Sequence, residues 1–128
     1  MSGQATRKVY PSDLPYPFSA AVQTGNLLFV SGQVGMRDGK VGQGIEEQTR
    51  LALENIRDIL VTAGSSLEGV VKVTVFLTDM ALWPAMNEVY RQYFPKDPPA
   101  RSALGANGLA LPDLLVEMEC IAEVAGEA

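Results

Sequence analysis

The chain contains no histidine and a single cysteine, Cys120, among its 128 residues. Without histidine, no Ser-His-Asp or Cys-His nucleophilic arrangement can be built, and the side chain that most often exchanges protons near neutral pH is missing. One cysteine excludes an intramolecular disulfide and a zinc site of the usual Cys/His type. Nothing in the pattern points to a carboxylate-only magnesium site either, so no metal and no cofactor are expected. Cations are also scarce: 10 Lys and Arg stand against 15 Asp and Glu, for a formal net charge of -5. Nucleic-acid binding needs a basic footprint, so no nucleic-acid partner is expected. No apolar run approaches the length that spans a bilayer, and Met1 to Asp13 carries no apolar core of the signal-peptide kind. The expectation is therefore no membrane partner and a cytoplasmic location.

What is present is ordinary for a globular domain: 47% hydrophobic and 20% charged residues. A chain of this length reads as one domain, 1–128, able to bury roughly two-thirds of its unfolded surface without staples. Residues 1–17 are polar and hold Pro11, Pro15 and Pro17, which favours loop. Ala20–Thr24 and Leu27–Ser31 read as strands joined at the turn-prone pair Gly25-Asn26. Gly32–Gly44 holds five glycines and is expected to be a loop or irregular hairpin.

Gly44–Ala63 is the clearest helix, with Ala52, Leu53, Ile56, Ile59 and Leu60 at helical spacing and Gly64 as a natural stop. Val70–Leu77 reads as a strand. Leu82–Phe94 reads as a second helix, with Pro84 tolerable only in its first turn and Trp83, Met86, Tyr90 and Phe94 as its apolar stripe. Ala100–Leu104 and Leu114–Val124 are the last strands. The order is ββαβαββ, an α+β chain, with extra edge pairing possible near Val9 and Val41.

The strand faces carry the next inference. Val116, Met118, Cys120, Ala122 and Val124 make one apolar face; Leu115, Glu117, Glu119, Ile121 and Glu123 make the other. Val71, Val73, Val75 and Leu77 are expected to oppose Val70, Lys72, Thr74 and Phe76, and Leu28 and Val30 to oppose Leu27, Phe29 and Ser31. Two helices can cover the apolar face. The mixed face holds Phe29, Phe76, Leu115 and Ile121, too much apolar area to leave in water, and no third helix exists to cover it. A symmetric homo-oligomer is the expected solution. Cys120, on the apolar face, reads as a small buried hydrophobe.

Pro99-Ala100-Arg101-Ser102 is followed sixteen residues after Arg101 by Val116-Glu117-Met118-Glu119. A fixed guanidinium grips a carboxylate with two prongs, and a nearby carboxylate can hold or activate a water. That pairing suggests hydrolysis of a small anionic molecule. On residues alone, Arg101 reads first as half of a structural ion pair, with Glu119 as the candidate partner, and Glu117 as one of three solvated carboxylates on a strand face.

Five segments in order resemble the RidA/YjgF family of small imine and enamine hydrolases. They are Gly25-Asn26-Leu27 through Ser31-Gly32-Gln33, Val71 through Asp79, Asn87 in the second helix, Pro99-Ala100-Arg101-Ser102, and Leu111-Pro112 through Glu119. The resemblance covers about residues 9–124. It implies a chorismate-mutase-like α+β fold, a mixed sheet of about six strands with two helices on one face. It also implies a homotrimer with sites in the clefts between subunits. Arg101 falls on the family's carboxylate-binding arginine and Glu117 on the glutamate that positions water. Ser31 and Gly32 match a turn at the pocket floor, and Asn87 a helix asparagine near the subunit junction. Phe18 stands where many members have tyrosine and Ala103 where many have cysteine, and the 104–111 loop is slightly longer than the common spacing. Phe18, Ser31, Gly32, Asn87 and Ala103 are the implied substrate-binding set.

The implied reaction is hydrolytic deamination of 2-imino or enamine acids to 2-oxoacids and ammonia. A non-catalytic trimer that senses small carboxylates, and a ribonuclease of the kind assigned to some relatives, are the alternatives.

Overall fold

The chain is seen in a computed structural model that describes residues 7–125. Eight strands and two helices follow one another: β1 (Arg7–Pro11), β2 (Ser19–Thr24), β3 (Leu27–Val34), β4 (Met36–Arg37), β5 (Lys40–Val41), α1 (Gly44–Thr62), β6 (Val70–Leu77), α2 (Trp83–Tyr93), β7 (Ala100–Gly105) and β8 (Val116–Glu123). Short 3-10 turns at Leu67–Gly69 and Met80–Leu82 lead into β6 and α2.

α1 forms because Ile45, Gln48, Thr49, Ala52, Leu53, Ile56 and Leu60 fall on one side of the helix, and all are buried. Glu46 and Glu47 sit in its first turn, where the helix dipole favours negative charge. It ends where Gly64 takes φ +80°, letting Ser65 N–H return to the Leu60 carbonyl at 2.7 Å. α2 tolerates Pro84 in its first turn and buries Met86, Val89 and Tyr90.

One six-stranded sheet has the order β1-β2-β3-β8-β6-β7. Every neighbouring pair is antiparallel except β6 and β7, which run parallel with α2 as the crossover. Both helices cover the same face. Between helices and sheet lies the core: Leu28, Val30, Leu53, Ile56, Leu60, Val73, Val75, Leu77, Met86, Val116 and Met118 are all buried. Truncating one such residue, Leu53→Ala for example, costs about 2–5 kcal/mol. Cys120 is buried in this layer as expected, and burial pushes its thiol up to about 12. The other sheet face carries no helix among the described residues, and Phe29 and Leu104 on it are each 43% exposed.

Three expectations are corrected. Val70 is buried and Val71 exposed, the reverse of strict alternation, because the pairing of β6 with β8 shifts between Val70 and Lys72. Gly32–Gly44 is not wholly loop: β3 runs on through Ser31 and Gly32 to Val34, with a bulge between Val30 and Gln33 that absorbs the glycine. The remaining residues then form the small β4–β5 hairpin. Leu114 and Leu115 precede β8 rather than starting it. They are held by the buried Gln48 amide, whose Oε1 accepts from Leu115 N–H at 2.8 Å and whose Nε2 donates to the Asp113 carbonyl at 2.9 Å. The edge pairing near Val9 is real, as β1 against β2, and Val41 pairs only with Met36.

Candidate functional site

Arg101 lies on β7, the edge strand, opposite Val73. Residues paired across a sheet project from the same face, so Arg101 shares the helix-covered face with the buried Val73. Its guanidinium rests 4.7 Å from the ring centre of Tyr90 and 5.8 Å from that of Trp83, both on α2. Among the described residues Arg101 forms no salt bridge; the three ion pairs are Arg37–Asp58, Arg57–Glu54 and Arg91–Glu88. The Glu119 partnership is therefore not made: Glu119 pairs with Thr74 and lies on the other face.

A groove of about 630 Å³ opens beside Arg101, walled by Asn87, Tyr90, Phe94, Pro98 and Pro99. Asn87 and Tyr90 are three residues apart on α2, hence on one helix face. The Asn87 Oδ1 and the Tyr90 hydroxyl are both buried without a hydrogen-bond partner among the described residues. Burial raises the Tyr90 hydroxyl to about 12, with the Arg101 charge pulling the other way. Ala103 lies two residues along β7 on the same face, partly buried beside Val75.

Glu117 belongs to the opposite face. On β8 it alternates with the buried Val116 and Met118 and pairs with Phe76 on one side and Val34 on the other. Its carboxylate packs over Gly32, so closely that a Cβ there would collide with it. Burial, and then the nearby Glu119 charge, raise its pKa above the ordinary 4.5. Ser31 donates its hydroxyl to the Ser19 carbonyl at 2.6 Å, tying the floor of this region to β2. Phe18, next to Ser19, is 46% exposed and stacks on Tyr16 at 6.3 Å between centroids.

The sequence-derived residues thus fall into two groups. Arg101, Asn87 and Ala103 gather on the helix side of the sheet edge. Glu117, Gly32 and Ser31 gather on the bare face, with Phe18 bordering them. The single chain does not bring the arginine and the glutamate together. Tyr90 and Trp83 belong to the first group, although the sequence presents them only as part of an apolar stripe. The signal that could have found them was their spacing of i+3 and i−4 from Asn87 on the same helix. A second groove, about 400 Å³, lies between Leu67, Glu68, Tyr93, Lys96 and Asp97 and holds none of these residues.

The chain is thus an α+β domain with a cation over aromatic rings at its sheet edge and a half-buried carboxylate on its bare sheet face. Comparison with known proteins places it more narrowly. Residues 12–124 match the family described as endoribonuclease L-PSP. The chain is 47% identical over 109 residues to the mitochondrial protein mmf2 of Schizosaccharomyces pombe, covering 83% of this chain and 86% of that one. It is 40% identical over 109 residues to the chloroplastic reactive intermediate deaminase A of Arabidopsis thaliana, covering 83% of this chain and 58% of that one. Among solved structures, E. coli TdcF with bound serine superposes with a TM-score of 0.83 at 33% identity, over 91% of this chain and 94% of that one. The chain belongs to the endoribonuclease L-PSP family, the RidA/YjgF family of its sequence resemblance. No helix among the described residues is long and apolar enough to cross a membrane.

Proposed function

We propose that this chain hydrolyses small 2-imino and enamine acids to 2-oxoacids and ammonia, as a homotrimer with its sites between subunits. The observation that carries the reading is the division of the functional groups between the two faces of one sheet. Among the described residues, Arg101 is a cation with no ion-pair partner, and Glu117 is a carboxylate with a raised pKa and no ion-pair partner. Each is half of a site. A second copy laid against the bare face joins the Glu117 half of one subunit to the Arg101 half of its neighbour, and buries Phe29 and Leu104 in doing so.

In that cleft Arg101 holds the substrate carboxylate by charge-assisted hydrogen bonds, on the order of 1.5–3 kcal/mol net. Glu117 orients a water toward the imine carbon and takes its proton as the C–O bond forms. The proton returns to nitrogen, the hydroxyl oxygen closes to the new C=O as the C–N bond breaks, and ammonia leaves with the hydroxyl proton as ammonium. A protonated imine is already electrophilic, so positioning and one general base, roughly 10²–10⁴-fold, suffice without a cofactor. The raised pKa of Glu117 suits it to accept a proton. The name of the Arabidopsis relative and the serine bound by TdcF accord with a small amino-acid-like ligand.

The test couples binding to turnover. The iminoacid is generated in situ by an amino-acid oxidase and the residue trapped with semicarbazide; active protein lowers the semicarbazone yield. Arg101→Ala should lose pyruvate binding in calorimetry, whereas Glu117→Gln should keep it and lose most of the rate. Pyruvate binding with no turnover of any aliphatic iminoacid would make this chain the carboxylate-sensing trimer instead. The acidic balance, 10 Lys and Arg against 15 Asp and Glu, and the absence of histidine count against the ribonuclease reading.

A further inference from the structure

Arg101 raises a physical question. A long, half-buried side chain on an edge strand has many rotamers, and ordering it costs entropy. The usual device for fixing an arginine is a carboxylate partner, as Arg37 has in Asp58 and Arg91 in Glu88. A carboxylate there would neutralise the guanidinium and compete with the carboxylate of any substrate. Instead the guanidinium lies over two aromatic faces, Tyr90 at 4.7 Å and Trp83 at 5.8 Å. Ring faces attract the cation through their negative quadrupole, yet occupy none of its five in-plane N–H donors.

We propose that Tyr90, seconded by Trp83, is a positioning residue that holds Arg101 as an ordered but unpaired cation, leaving its donor fork free for a ligand carboxylate. This rests on the reading of Arg101 as the ligand's anchor and adds to it the device that keeps the anchor available. Tyr90 serves through its ring and not through its hydroxyl, which is buried and makes no hydrogen bond among the described residues. Trp83 serves from the rim, 41% exposed, and at greater distance. Arginine suits this account better than lysine, because an ammonium held over a ring has no planar fork to present to a carboxylate.

Two measurements on the full chain separate the clamp from the chemistry. The first is the side-chain Nε–Hε resonance of Arg101 in a 15N-correlated spectrum. Ring currents should displace it in the wild type and in Tyr90→Phe, and it should move toward the position of a free arginine in Tyr90→Leu and Trp83→Leu. The second is pyruvate affinity with the KM–kcat split for a 2-iminoacid. Tyr90→Phe should bind within about twofold of wild type, Trp83→Leu about threefold weaker and Tyr90→Leu about tenfold weaker, consistent with the strength of a partly desolvated cation–π contact. The loss should appear in KM, with kcat little changed. Trp83 is on the surface, so its variant folds even if Tyr90→Leu does not.

An undisplaced Arg101 resonance in wild type, or wild-type affinity in both leucine variants, overturns the clamp. So does a Tyr90→Phe defect as large as that of Tyr90→Leu, which would assign the role to the hydroxyl. A displaced resonance that the leucine variants abolish, in a protein that turns over no iminoacid, leaves the clamp standing and removes only the deaminase reading.

Discussion

Gly32→Ala should leave the fold in place and disable the proposed chemistry. The Cβ it adds would stand 2.9 Å from Glu117 Cδ and 3.1 Å from its Cγ, and collide outright with Oε2. Ordinary contact begins near 3.4 Å, so the carboxylate must retreat by roughly half an ångström at Cδ and by more at its oxygens. The obstacle is the end of a flexible side chain rather than backbone, and Gly32 sits at a bulge with no positive φ to preserve, so the cost to folding is small. The cost to catalysis is not small, because a misplacement near 1 Å loses about 10²-fold in rate. At about 1.36 kcal/mol per tenfold, that is close to 2.7 kcal/mol of transition-state stabilisation. The assay is kcat for iminoacid hydrolysis by the semicarbazide method, with thermal melting and light scattering as controls. The double variant Gly32→Ala/Glu117→Gln should be no slower than Glu117→Gln alone, since both changes act on one group. A well-folded Gly32→Ala with wild-type kcat would refute the reasoning. It would mean that the water is held elsewhere, with Glu119 or backbone carbonyls as candidates.

Glu117→Gln should be more stable than wild type at neutral pH. Because the folded pKa of Glu117 is raised, the folded chain binds that proton more tightly than the unfolded chain, so ionisation costs stability above the window and protonation restores it as pH falls from the raised pKa to the ordinary 4.5. The advantage of the variant, read by denaturation, should shrink across that window, while the acid limb of wild-type kcat/KM should lie above 4.5. Gln48→Leu strands Leu115 N–H and the carbonyls of Gly42 and Asp113. The Asp113 carbonyl can turn to water, but Gly42 is buried and Leu115 partly so, and at about 1–3 kcal/mol for each of those two groups chemical denaturation should reveal a loss of at least about 2 kcal/mol. Light scattering should return three times the 13.7 kDa chain mass, and a stable monomer at low micromolar concentration would remove the two-subunit site.

The sequence by itself determined the elements and the faces. Apolar residues at helical spacing from Ile45 to Leu60 specify α1 because burying that stripe is the dominant favourable term. The alternation from Val116 to Ala122 sorts β8 into a core face and a face bearing Glu117, since successive side chains must point oppositely. The absence of histidine already removed the commonest hydrolytic machinery. Local alternation failed at Val70 and Val71, because a bulge is decided by how one strand registers on its neighbour and leaves no local mark. For the same reason, the continuation of β3 through the glycine-rich stretch was hidden.

Only the tertiary structure decided that β8, the last strand, lies between β3 and β6, and that Arg101 and Glu117 therefore emerge on opposite faces of one sheet. Sixteen residues of separation along the chain cannot reveal that, because a side chain's face depends on register and crossover rather than on distance in sequence. The stacking of Arg101 on Tyr90 and Trp83 arises in the same way. Those rings look like core in the sequence, and they meet a cation only because the α2 crossover lays them against an edge strand.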